Sequence, residues 1–418
     1  MVTKMKICFW LGSYLSEEHI VDLGIRSPNE LISSKVAQRN FIEGLLKYVD
    51  YINVISVIRH KDISKILRKT VKTHSNLQYI VLYALGLLYL DRLFKLFFYK
   101  KEAQKIMRIQ NNDKIEFIIF VYEVTSGGCR AAGILKRLFP RITTVLIIPD
   151  APEHMSPSGD GFIKKLLKKF DRKIIDAHLY NFDKYIVFSS GLVSLLNIDT
   201  TKSILIEGMY NDDITSLKHS DVFRTQKIRK ILYAGNLNDE KSLRVILDAF
   251  VLADLENVTL CLYGFAKPDF EKYLNFLSKK HPNIQYKGFC ENREKLLDEE
   301  READLLLMLR DPNLEYTKYS FPSKLFEYMA SGTPVLASRL DGIPEEYYKY
   351  LFIADEYTKQ GISKKIKEIF AHDTSILTSI GAKAQEFILN NKTNTIQVKK
   401  MLDFICPSMI EKEANANV

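Results

Sequence analysis

Phe321-Pro322-Ser323-Lys324-Leu325-Phe326-Glu327-Tyr328-Met329-Ala330-Ser331-Gly332-Thr333-Pro334-Val335-Leu336-Ala337-Ser338 is the stretch of this chain that says most about its fold. Pro322 and Ser323 favour a helix start and Gly332 a helix stop, so residues 323–330 predict a helix of about two turns. The apolar run 334–337 that follows reads as a buried strand. Free amides and the positive dipole end at the helix start suit a phosphate, and Lys324 adds a cation. Glu327 lies one turn in, among Leu325, Phe326, Tyr328 and Met329. A carboxylate in such company needs a partner; a ribose diol offers two donors, and a nearby lysine would serve as well.

Outward from this segment, short apolar runs alternate with helical patterns, the mark of βαβ units and a parallel sheet. In the first half the expected strands are 6–11, 52–57, 117–122, 144–148 and 184–188; in the second they are 230–233, 258–263, 283–287, 305–309 and 334–337. Helical patterns fill 33–47, 243–250, 270–280 and 383–405. Two such sets in 418 residues imply an α/β chain of two doubly wound, Rossmann-like domains. The polar, turn-prone segment 206–227 marks the junction. The expected division is residues 1–205, 206–382 and a C-terminal segment, 383–418. The tail 411–418 lacks apolar periodicity and reads as disordered.

Ligands of open parallel sheets bind beyond the carboxyl ends of the strands. Those ends carry Gly12, Glu123 and Asp150 in the first half. In the second they carry Gly235-Asn236, Gly264, Gly288-Phe289 and Arg310-Asp311. Any one glycine is explained by a tight turn; their recurrence suits close approach to a ligand. Two such edges facing one another would form a cleft.

Composition excludes several classes. Hydrophobic residues make up 46% and charged residues 27%, an ordinary globular balance. Five cysteines form no CxxC pair and imply no metal site, and their apolar neighbours suit a reducing, cytoplasmic setting. No GxGxxG follows the first strand, which disfavours a dinucleotide-dependent dehydrogenase. The net charge of +9 is concentrated in part on residues 161–176. There Lys164, Lys165, Lys168, Lys169, Arg172 and Lys173 oppose a stripe of Phe162, Ile163, Leu166, Leu167, Phe170 and Ile174. This basic amphipathic helix suits an anionic bilayer surface, or an ordinary solvated face. It lacks the interleaved exposed aromatics of a nucleic-acid binder. The apolar run 79–90 is too short to span a bilayer and reads as a core or interfacial helix.

The segment 321–338 resembles the signature of the retaining GT-B glycosyltransferases of family 4, in which a helix with the second Glu of a Glu-x7-Glu motif precedes a Gly-x-Pro-Val strand. Residues 231–250 resemble that family's strand–Gly–(Arg/Asn)–Lys–helix donor motif, with Gly235 and Lys241 in register, and Asp341-Gly342-Ile343-Pro344-Glu345 resembles its usual close. The first half matches only at Gly12, residues 34–45 and Ile148-Pro149-Asp150. The resemblance implies two Rossmann-like domains facing across a cleft, with the final segment, 383–418, returning to the first domain. It also implies metal-independent, retaining transfer from a UDP- or GDP-linked nucleotide-sugar, with no further cofactor. Glu327 would hold the ribose, Lys241 the diphosphate, and Ser323, Lys324 and Leu325 the same phosphates. Gly12, Gly235, Gly264, Gly288 and Phe289 would complete the donor site.

The chain departs from the pattern at Asn236, where many relatives carry Arg, with Arg310 or Lys324 available in compensation. It departs again at Tyr319, which stands where the first Glu belongs. The family's N-terminal His has no match; Asp150 fills that strand end, with His154 beyond it, either as a catalytic group or as a helix cap. The expected acceptor is a growing, lipid-linked cell-surface glycan of capsule, exopolysaccharide or O-antigen type, met at the inner face of the cell membrane. Competing readings are a nucleotide-sugar 2-epimerase and a degenerate, non-catalytic partner subunit.

Overall fold

The computed structural model describes residues 5–16, 32–60, 69–85, 90–110, 113–151, 162–211 and 229–407. The chain divides into two compact units, Met1–Met209 with Asn394–Val418, and Tyr210–Thr393. The first contains β1 (Met5–Gly12), α1 (Ile32–Leu46), β2 (Tyr51–His60), β3 (Lys69–His74), β4 (Leu77–Leu85), α2 (Leu90–Gln110), β5 (Ile115–Tyr122) and α3 (Ser126–Leu138). It continues with β6 (Thr143–Ile148), α4 (Phe162–Leu179), β7 (Lys184–Val187), α5 (Gly191–Leu195) and β8 (Ser203–Leu205). The second contains β9 (Arg229–Ala234), α6 (Glu240–Ala253), β10 (Val258–Tyr263), α7 (Pro268–Lys280), β11 (Ile284–Gly288) and α8 (Arg293–Glu302). Then come β12 (Leu305–Met308), α9 (Lys324–Ala330), β13 (Val335–Ser338), β14 (Phe352–Ala354), α10 (Lys359–Ala371) and α11 (Thr374–Asn391). The last helix, α12 (Asn394–Ile405), belongs to the first unit.

The first unit is built on a sheet of order β3-β4-β2-β1-β5-β6-β7-β8, parallel throughout except for the antiparallel β3–β4 pair. Its central strands are buried on both faces, hence the near-continuous apolar runs. Trp10 anchors the core, its ring 5.7 Å from those of Phe41 and Tyr122. Residues 79–85 of the apolar run 79–90, read above as a helix, instead lie in β4, with Ile80, Val81, Leu82 and Tyr83 all buried. Periodicity alone does not separate a short buried strand from a buried helix, and the β-branched and aromatic content decides for the strand.

The second unit carries a six-stranded parallel sheet of order β11-β10-β9-β12-β13-β14. Alternate strand residues feed two cores. Ile231, Leu305 and Leu307 pack with α6, α7 and α10, while Leu232, Leu306 and Met308 pack with α9 and α11. This is a doubly wound, three-layer, Rossmann-like unit.

The divisions fall at Met209/Tyr210 and Thr393/Asn394 rather than at 205/206 and 382/383. Residues 383–391 stay with the second unit because the Phe387 ring stacks on Tyr350 at 4.7 Å. The helical pattern 383–405 is two helices, broken at Lys392-Thr393. Within the first unit α12 packs on α1 at Gly44, where a Cβ would meet Val398 Cγ2 at 2.7 Å and Asn394 O at 2.9 Å. Residues 411–418, most of the junction and His154 lie outside the described residues.

Candidate functional site

In the second sheet the strand order reverses between β9 and β12, which makes their carboxyl ends a switch point. A cavity of about 330 Å³ opens there, lined by Tyr233–Asn236 at the end of β9 and by Leu307–Arg310 at the end of β12. Asp239, Ser242, Leu243 and Ile246 of the α6 turn, Tyr316 and Lys324 close it. Local chemistry holds each wall. Asp239 caps α6 by accepting from Ser242 N at 3.3 Å. The Ser338 hydroxyl accepts from Arg310 N at 3.1 Å, fixing the end of β12 against that of β13. Tyr328 pins α9 to β9, its hydroxyl accepting from Ala234 N at 2.7 Å and donating to Ala234 O at 3.1 Å.

Arg310 makes no side-chain ion pair among the described residues. Burial pushes the phenols of Tyr233 and Tyr316 up, with Arg310 opposing and Asp239 reinforcing the rise. The cavity lining thus combines one guanidinium, one ammonium, one carboxylate and two neutral phenols. Asn236, read above as a missing cation, spends its Oδ1 on accepting from Asn238 N at 3.0 Å and so shapes the turn after β9.

Behind the cavity wall lies a half-buried ion network in which Glu300 alone is fully buried. Lys324 Nζ donates to Glu327 Oε2 at 2.6 Å and stands 2.8 Å from Glu300 Oε1; Arg293 Nη2 donates to Glu327 Oε1 at 2.9 Å. Burial works against the Glu327 charge, yet Lys324 and Arg293 outweigh it and hold the carboxyl below its ordinary range. Burial likewise opposes the Lys324 charge, and Glu327 and Glu300 outweigh it, holding the ammonium above the ordinary lysine range. Burial dominates at Glu300, pushing its carboxyl up to about 7 although Lys324 pulls the other way. Lys324 is the shared member: it belongs to the network and to the cavity wall.

Of the expected donor residues, Gly235, Asn236, Arg310 and Lys324 are brought together around the cavity, with Glu327 one contact behind. Lys241 is exposed on the first turn of α6 and does not line the cavity, although Asp239 and Ser242 on either side of it do. At the start of α9, Leu325 is a core residue whose N–H bonds Pro322 O at 2.8 Å, and Phe326 N bonds Ser323 O at 3.3 Å, so these two amides are engaged within the turn. Ser323 is exposed and makes no side-chain cap. Gly264 and Gly288 have φ of +151° and +73°, and a Cβ on Gly264 would run into Gly235 O. These two glycines shape the strand ends without lining the cavity; Phe289 and Tyr319 do not line it either.

Gly12 and Asp150 belong to the first unit, at the ends of β1 and β6. Between them in sheet order, Glu123 follows β5 with φ +73°, and Ser34 Oγ donates to its Oε1 at 3.3 Å. Tyr99 donates to Gly12 O at 2.5 Å, and a Cβ on Gly12 would collide with the Gln38 side chain.

Sequence reasoning missed Arg293, Glu300, Asp239 and Tyr316. Arg293, Leu297 and Glu300 recur at i, i+4 and i+7 on α8, so a glutamate at an inward position was the available signal for Glu300. Among the described residues no group of three His, Cys, Asp or Glu is placed to hold a metal ion, and no helix is long and apolar enough to cross a membrane.

Residues 217–387 match the family model for glycosyl transferases group 1. That span covers nearly all of the second unit, including every residue named at the cavity and the ion network. No curated protein matches the sequence. Among solved structures, that of trehalose-6-phosphate from Escherichia coli bound with UDP-2-fluoro glucose superposes with a TM-score of 0.66 at 11% identity, over 96% of this chain and 99% of that one. A glycosyltransferase from Rickettsia africae gives 0.65 at 15% identity, over 96% and 98%. The N-terminal domain of Candida albicans trehalose-6-phosphate phosphatase gives 0.68 at 13%, over 96% and 97%. The two parallel-sheet, Rossmann-like units are therefore the fold of these proteins.

Proposed function

We propose that the protein is a glycosyltransferase that takes a sugar from a UDP- or GDP-linked donor held by its second unit. The observation that carries this reading is the position of Lys324. One side of it faces the switch-point cavity and the other engages Glu327, within a segment that matches group 1 glycosyl transferases. Lys324 and Arg310 are suited to the donor diphosphate, where negative charge grows as the sugar leaves. Glu327, kept ionised by its two cations, can accept from the ribose hydroxyls while Arg293 fixes its orientation. Lys241, exposed beside the cavity, is a secondary phosphate contact on this reading. Gly12 and Asp150, with Glu123 beside them in sheet order, are suited to the acceptor side.

We further infer retention of configuration, metal-independent turnover, and a lipid-linked glycan acceptor met at the inner membrane face. The acceptor reading draws support from exposed apolar side chains among cations. Leu166 and Phe170 on α4 are 60% and 64% exposed beside Lys169 and Lys173. Phe97 and Ile109 on α2 flank Lys100, Lys101, Lys105 and Arg108. Calorimetry with UDP and GDP tests the donor site, and anomeric analysis of the product with and without EDTA tests retention and metal independence. No binding of either nucleotide would remove the donor reading. An inverted product, or turnover lost to EDTA, would remove the corresponding part of the mechanism.

A further inference from the structure

Glu300 is a fully buried carboxylate near the end of α8 that no step above uses. Its Oε1 stands 2.8 Å from Lys324 Nζ, while its Oε2 meets no hydrogen-bond donor among the described residues. An ionised carboxylate with one oxygen sealed from water and from donors is unfavourable, so this side chain is poised to take a proton. The charged and titratable groups around it are Lys324 and Glu327 from α9, Arg293 from its own helix, and the phenols of Tyr328 and Tyr210. Its backbone is fixed as well, since Thr333 Oγ1 donates to Glu300 O at 2.8 Å.

The charge count gives this geometry a consequence. With Glu300 ionised, Arg293 and Lys324 balance Glu327 and Glu300, and the cluster is neutral. With Glu300 protonated, one positive charge is left over, and Lys324 is the member that reaches the cavity. An anion entering the cavity competes with Glu300 for the same ammonium.

The geometry points to Glu300 as a positioning residue that couples proton uptake to anion binding by Lys324. As a diphosphate approaches Lys324, Glu300 takes a proton from solvent and the ammonium turns its charge to the cavity. When the diphosphate leaves, Glu300 ionises and holds Lys324 in place. The inference rests on the donor reading above for the identity of the anion, but not for the titration itself.

Two measurements test it, with Glu300→Gln as the neutral mimic of the protonated side chain. The first is thermal unfolding between pH 5 and pH 8 without any added anion. The folded carboxyl is raised to about 7 from an ordinary 4.5. Its stabilising contribution is therefore full below the ordinary value and lost as pH rises through the raised one. The melting temperature of the variant relative to wild type should climb across that window, and a pH-independent difference overturns the inference.

The second is calorimetry with UDP, GDP and inorganic pyrophosphate at pH 6 and pH 8, in buffers of different ionisation enthalpy. Wild type should take up a proton on binding and lose several-fold more affinity than the variant between the two pH values. Ionisation of the phosphates themselves affects both proteins alike and releases protons, the opposite sign. Binding with equal pH dependence in both proteins sinks this inference and leaves the donor reading standing. Binding of none of the three anions sinks both. Should the variant not fold, the sign of wild-type proton exchange decides alone, and net release overturns the proposal.

Discussion

The Arg293 guanidinium donates to the Glu327 carboxylate at 2.9 Å across 34 positions of sequence, bringing the start of α8 onto the first turn of α9. Lys324 takes the other carboxylate oxygen, so Glu327 is fixed from both sides before any ribose is present. A preorganised acceptor loses less on binding than one that must be ordered. Glu327→Ala should weaken UDP or GDP binding by about 1.5–3 kcal/mol, the range for charge-assisted hydrogen bonds. Calorimetry on the folded variant measures this; unchanged affinity would take Glu327 out of the site.

Arg310 and Lys241 make opposite claims on the diphosphate. Sequence register favours Lys241, while the cavity places Arg310 in its wall and leaves Lys241 outside on an exposed turn. Arg310→Ala should therefore reduce affinity for the nucleoside diphosphate roughly tenfold or more, about 1.5 kcal/mol or above for a charged hydrogen bond, and Lys241→Ala by less. Affinity for the nucleoside without phosphates should stay unchanged in both. The reverse ranking would restore Lys241 as the main phosphate contact.

Glu327 also sets a pH limit on stability. Although burial opposes its charge, Lys324 and Arg293 hold its carboxyl below the ordinary 4.5. A depressed folded-state value gives stability that is present above the ordinary value and lost as pH falls through the folded one. Wild type should thus lose stability toward Glu327→Gln as pH is lowered beneath about 4.5. Urea midpoints at pH 6, 4.5 and 3.5 give the comparison; a gap that stays constant would show that Lys324 and Arg293 do not depress the Glu327 carboxyl, and a gap that moves the other way would show that the fold favours its neutral form.

The strands most visible in sequence are those covered on both faces. The runs at 6–11, 117–122 and 258–263 lie within β1, β5 and β10 because uninterrupted burial leaves an uninterrupted apolar string. Residues 79–85 obey the same rule, but an uncharged run of twelve residues, 79–90, has the length of a helix, so its pattern points to the wrong element. β8 and β14 have three residues each, too few to show a period. Lys324 and Glu327 were legible because they share one helical turn. Arg293 was not, and Glu300 showed only its inward place on α8, since their partners lie on a different helix and only tertiary packing joins them. Asn236 was read by residue type, whereas its task is set by the backbone amide of Asn238.

The α4 helix of the first unit keeps some of its apolar side chains outside the fold, which is the observation behind the last prediction. Ile175 and Leu179 are buried, and Asp171 is tied to Arg92 of α2 at 2.5 Å, but Leu166 and Phe170 face solvent. On α2, Phe97 and Ile109 are likewise exposed, at 61% and 76%, with four cations between them or beside them. Exposed aromatic and aliphatic side chains among lysines are what an anionic bilayer surface accepts: the rings enter the headgroup region while the ammonium groups meet phosphates. Each cation near such a surface contributes roughly 1 kcal/mol, so two helices together can hold the protein without a span. The Coulomb part is screened within about 10 Å at 0.1 M salt, so attachment should weaken steeply as salt rises. Flotation with vesicles containing phosphatidylglycerol should carry wild type upward at low salt and leave it behind at high salt. Phe170→Ser with Lys169→Gln and Lys173→Gln should release part of the bound protein, and Phe97→Ser with Lys101→Gln and Lys105→Gln another part, with UDP or GDP affinity unchanged in both. Loss from the first set alone would confine the contact to α4. Wild type that stays with the soluble fraction at low salt would make both helices ordinary solvated faces and deprive the lipid-linked acceptor of its support.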